Sequence, residues 1–155
     1  MTKHRFWKEL DALTDNFDES ETSRCEKLFK ISLLLKQAYD EDLSIIMKCV
    51  FDPFRPGCAH QQFVETEEGR VYIFYTSNKK ARANAYMDEY CEASLRDVIN
   101  NIFNRDEACG IAFEDGENNI FIPLDCLGMF FTGEIPKPED FVESKVGGWN
   151  PFVNP

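Results

Sequence analysis

His4 and His60 are the only histidines in the chain, so chemistry that needs an imidazole near a thiol converges on Cys58-Ala59-His60. Residues two apart on a strand share a face. Cys58 and His60 therefore meet the minimum requirement for a cysteine nucleophile with an adjacent base. Adding Cys49 gives three candidate zinc ligands. A structural site needs four, usually in Cys-x-x-Cys knuckles, and the chain contains no such knuckle. The acidic stretch Glu114-Asp115-Gly116-Glu117-Asn118-Asn119 invites a calcium reading, but an EF-hand loop needs glycine at its sixth position and a bidentate glutamate at its twelfth. Counted from Asp115, those positions are Ile120 and Cys126. No Gly-rich phosphate loop, serine elbow or dinucleotide fingerprint occurs. The expectation is a protein with no metal and no cofactor. A small cysteine-dependent enzyme using Cys58 and His60 is the alternative to a non-catalytic reading, since such a pair is more often incidental.

Two features suit binding. Lys79, Lys80 and Arg82 form the one dense basic cluster, placed where a helix N-terminus adds its own positive end. An acidic peptide or a phosphate would fit there, although a solvated helix face is the simpler account of the cluster. Trp149 and Phe152 stand in a segment rich in Pro and Gly. Leaving both aromatics in water forgoes roughly 1.5–3 kcal/mol each, so they dock on their own domain or on a partner.

Net charge is −11 and unevenly spread: residues 1–82 hold 13 Lys+Arg against 14 Asp+Glu, and residues 83–155 hold 4 against 14. Such acidity repels phosphate backbones and anionic lipid, which excludes nucleic acid and membrane as expected partners. A basic protein partner fits it, and the acidic C-terminal half is the expected contact surface. Self-association into a homo-oligomer stays open.

These residues must be positioned by local elements. Phe6, Leu10, Leu13 and Phe17 recur at helical intervals. Ser23-Arg-Cys-Glu26 has the capping-box pattern, leading into Leu28, Ile31, Leu35 and Ala38 at helical spacing. Leu43 to Phe51 reads as a buried strand, and His60 to Glu65 and Arg70 to Thr76 as a hairpin about Glu67-Glu68-Gly69. Ser77 and Ser94 are placed to cap two further helices. Tyr90 to Ala93 fits either a short strand or an earlier turn of the second. Cys109 to Phe113 and Asn119 to Ile122 flank Asp115-Gly116, a hairpin signal, and Leu124 to Phe131 reads as a closing helix.

At 155 residues the chain is the size of one domain that buries roughly two thirds of its unfolded surface. Expected is a single α+β domain over 1–155, with a mixed or mainly antiparallel sheet of about five strands flanked by helices. Its core spans residues 20–131, followed by an irregular tail over 132–155. The opening residues lack a signal peptide's apolar core, and no stretch nears the roughly 18 apolar residues of a membrane span, so the expected location is the cytoplasm. There the six cysteines are expected to be reduced, as small buried hydrophobes.

The order of three segments carries a family likeness: "GRVYIFYTSNKKA", a β run ending in Tyr-Thr-Ser and entering a helix; "ASLRDVINNIF"; and "CGIAFEDGENNIFIPLDCL". Over residues 20–131 the chain resembles the N-terminal domain of the bacterial SseB family, the enhanced-serine-sensitivity proteins. The resemblance implies a small α/β module without an established catalytic residue set, sometimes found near secretion or toxin-immunity functions. The resulting expectation is a bacterial protein-binding module, immunity-like or chaperone-like toward a basic partner.

Overall fold

A computed structural model describes residues 1–15, 21–51, 53–55, 59–84, 90–115 and 118–129. These form an α+β unit around one mixed sheet, with five helices and seven strands among the described residues.

Helix α1 (Lys3–Asp15) buries Phe6, Trp7 and Leu10 and half-buries Leu13, while Phe17, the last residue of the expected stripe, lies outside the described residues. Thr2 Oγ1 accepts the Arg5 amide at 3.2 Å and so caps the first turn. Helix α2 (Glu21–Asp40) buries Leu28, Ile31, Leu35 and Ala38 as the spacing requires. It begins two residues before Ser23, so the Ser23-x-x-Glu26 pattern lies inside the helix and does not start it. Its far end closes in a Schellman arrangement: the Leu43 amide donates to Ala38 O at 2.9 Å and the Asp42 amide to Tyr39 O at 3.2 Å. Asp42 fills the left-handed position, φ 54°, that glycine usually takes.

Strand β1 (Ser44–Phe51) follows at once, then β2 (Ala59–Gln61), β3 (Phe63–Thr66) and β4 (Gly69–Tyr75). The expected second strand is thus split at Gln62. The reason lies in the sheet. β1 and β4 are joined antiparallel only at Ile46↔Tyr75 and Met47↔Phe74, beyond which they part. β2 pairs with β1 and β3 with β4, filling the opening as a wedge. Gln62 sits at the joint, its amide donating to Lys48 O at 2.8 Å and its carbonyl accepting from Ile73 at 3.2 Å.

Helix α3 (Asn78–Asn84) is capped by Ser77, whose Oγ accepts the Lys80 amide at 3.1 Å. Strand β5 (Tyr90–Ser94) pairs antiparallel with β1, which decides Tyr90 to Ala93 in favour of strand. Ser94 then caps helix α4 (Leu95–Phe103), accepting from Asp97 N. Strands β6 (Ala108–Asp115) and β7 (Asn118–Pro123) make the expected antiparallel hairpin, and helix α5 (Leu124–Met129) follows Pro123. β6 lies parallel to β4, so the chain from Thr76 to Glu107 is a crossover.

Residues Val71 to Tyr75 are all buried, because β4 is flanked by strands on both edges and covered on both faces. Tyr72, Phe74, Ile111, Phe113, Ile120 and Ile122 share the main core with the helices. Val71, Ala112 and Phe121 form a smaller apolar cluster on the opposite face. Among the described residues no helix is long and apolar enough to cross a membrane.

Candidate functional site

Two neighbouring turns bring five carboxylates around one cleft. The end of β3 presents Glu65, the β3–β4 turn Glu67 and Glu68, and the α4–β6 turn Asp106 and Glu107. Gly69 brings the two turns together. Its φ of 138° suits glycine, and a Cβ there would stand 2.6 Å from Glu107 O, the same oxygen that accepts the Arg70 amide at 2.7 Å. The turns enclose a cleft of about 300 Å³, lined by these five carboxylates with Thr66, Gly69 and Arg70.

Arg70 is the one cation of the lining, and it is already engaged. Its Nε donates to Glu65 at 3.0 Å and its Nη1 to Glu107 at 3.2 Å, while the guanidinium carbon lies 4.3 Å from the Phe63 ring centroid. The Glu65 hydrogen bond raises its pKa further above the ordinary arginine value. Arg70 therefore engages two of the carboxylates but offsets the charge of only one, so the lining stays strongly negative, with Glu67, Glu68 and Asp106 outside its ion pairs. A cleft of this kind attracts ammonium or guanidinium groups and repels anions.

A second constellation lies inside the sheet. The register sets Met47 opposite Cys91, and Cys49, two residues along β1, points to the same face, so Cys49 and Cys91 are diagonal cross-strand neighbours. Their Sγ atoms are 2.6 Å apart. Cys49 is fully buried and Cys91 half-buried. The hydrogen bond with Cys91, reinforced by burial, pushes the Cys49 thiol up, while the bond it receives from Cys49 pulls the Cys91 thiol down. Cys91 is thus the sulfur of the pair that an external reagent can reach. Cys109 is half-buried too, but burial raises its pKa.

Of the residues singled out from the sequence, Cys49 belongs to this thiol pair and the other described ones fall outside both constellations. His60 is exposed on β2, opposite Val50, and Cys58 lies outside the described residues. Lys79 and Arg82 are exposed on α3; Lys80 is half-buried and its Nζ pairs with Asp15 at 2.6 Å, tying α3 to α1. Trp149 and Phe152 lie outside the described residues, as does the tail over 132–155. Among the described residues no group of three or more His, Cys, Asp or Glu side chains is placed to hold a metal ion.

Sequence reasoning missed both constellations. The cleft joins carboxylates from two turns almost 40 positions apart, while charge counted by halves of the chain separates them. The Cys49–Cys91 pair depends on the β1–β5 register, for which the sequence holds no local signal. Comparison with models of known families, with curated proteins and with solved structures finds no match.

Proposed function

We propose that the protein is a non-catalytic, cytoplasmic protein-binding module that takes a basic segment of a partner into the cleft between the β3–β4 and α4–β6 turns. The observation that carries this reading is the five-carboxylate lining, in which Arg70 is already ion-paired on both sides. The overall charge of −11 adds to it, since a strongly acidic surface accelerates encounter with a basic protein in a salt-dependent way. A module of this kind is also what the resemblance to the SseB N-terminal domain implies, and an immunity-like or chaperone-like role toward a basic target is its natural form.

The test is affinity capture from the native host at low ionic strength, using the full chain. Glu67→Lys with Glu68→Lys reverses two exposed charges of the cleft. Glu26→Lys with Asp125→Lys makes the same charge change at exposed positions outside it. The expected outcome is a basic protein captured by the wild type and the control, eluted by salt and lost with the cleft variant. Equal loss in both variants would reduce the effect to net charge, and no salt-eluted partner at all would remove the reading.

A further inference from the structure

Two thiols whose sulfurs lie 2.6 Å apart across antiparallel strands are in closer contact than van der Waals packing brings two sulfur atoms, and a small movement would join them. We propose that Cys49 and Cys91 are a reversible redox pair, oxidised by low-molecular-weight disulfides of the glutathione class to a cross-strand disulfide between β1 and β5. The surroundings separate the roles of the two sulfurs. Cys91 lies on β5, which pairs only with β1 among the described strands, and its half-buried side chain remains reachable from solvent. Cys49 is fully buried on β1, screened from any external reagent but touching Cys91. This is the division between an attacking and a resolving cysteine.

The reaction balances without further reagents. The Cys91 thiolate attacks one sulfur of oxidised glutathione, forming a mixed disulfide and expelling one glutathione thiolate. Cys49 then gives up its proton to solvent, and its sulfur attacks Cys91 Sγ, expelling the second glutathione thiolate. Two protein thiols become one disulfide, and one oxidised glutathione becomes two reduced ones. An excess of reduced glutathione drives the same steps backward, so in a reducing compartment the pair rests as thiols and closes only when the poise shifts.

The experiment is a native oxidation of the full chain. Reduced protein freed of reductant is incubated with oxidised glutathione, alkylated, and mapped by non-reducing mass spectrometry. The expected product is lighter by two hydrogens, carries a Cys49–Cys91 cross-link, and reverts with dithiothreitol. Cys49→Ser is expected to accumulate glutathione on Cys91, and Cys91→Ser to lose the cross-link and most of the glutathionylation. The wild-type map stands by itself should either variant fold poorly. Failure to oxidise, a cross-link that forms only in denaturant, or oxidation led by Cys109 would overturn the proposal, because Cys109 is a similarly half-buried thiol without the paired geometry.

Discussion

Cys91 and Cys109 occupy similar degrees of exposure, yet their surroundings drive the two thiols in opposite directions. Because the thiolate is the reactive form, a lowered pKa extends reactivity to lower pH and a raised one confines it to higher pH. Iodoacetamide labelling followed across pH should therefore show Cys91 rising at lower pH than an unstructured cysteine peptide and Cys109 at higher pH. The reverse order would mean that the Cys49 hydrogen bond does not form in solution. Gly110 illustrates a different constraint. A Cβ at this position would run into the Phe121 ring and stand 2.9 Å from Ile122 O, so the β6–β7 hairpin closes only over a residue without a side chain. Gly110→Ala should cost about 1–3 kcal/mol, as overpacking does, measured as a fall in the denaturation midpoint with the slope unchanged.

Helix ends show how elements distant in sequence lean on one another. Arg96, in the first turn of α4, donates to Tyr39 O through Nε at 3.1 Å and Nη2 at 3.0 Å, and from Nη2 to Asp40 O at 2.9 Å. These are carbonyls that the end of α2 leaves without intrahelical partners. Ser94 Oγ both donates to Asp42 at 2.8 Å and caps α4, so the two termini share one polar cluster. Arg96→Met keeps much of the stem packing and removes the donors. It should destabilise by about 2 kcal/mol, read by chemical denaturation, and loosen α2 and α4 together in hydrogen exchange. Elements governed by their own residues were legible in the sequence: the buried faces of α1 and α2, the Ser77 and Ser94 caps, the turn at Glu67-Glu68 and the antiparallel pairing of β6 with β7. The wedge of β2 and β3 and the pairing of β5 with β1 were not, because strand partners are chosen by burial and register across long separations. The Ser23-x-x-Glu26 pattern misled for a related reason, since a cap signal is only statistical and α2 extends through it.

Over the whole molecule, the candidate sites were less legible than the fold. Glu65, Glu67 and Glu68 looked like an ordinary hairpin turn until the α4–β6 turn brought Asp106 and Glu107 beside them, while of the residues singled out for their types only Cys49 enters a constellation; His60, opposite Val50 on β2, and the α3 cations line neither. Oxidising the thiol pair should also alter global stability. Cys49 and Cys91 are 42 positions apart, and closing a loop of that length stabilises by about 4 kcal/mol in the chain-entropy picture. For a chain of this size that corresponds to a rise in Tm on the order of 10 °C, detectable by calorimetry with and without dithiothreitol. An unchanged Tm would indicate that strain in the bonded form offsets the entropic gain. The parallel pairing of β4 with β6 has a further consequence for synthesis on the ribosome. β4 is the central strand, buried from Val71 to Tyr75, but its neighbour on the second edge is not made until residues 108–115 leave the exit tunnel. Until then one edge of an apolar strand stands open, a state that invites chaperone binding and proteolysis. Nascent chains arrested before β6 emerges should be cut readily by protease, and those arrested after β7 emerges should resist.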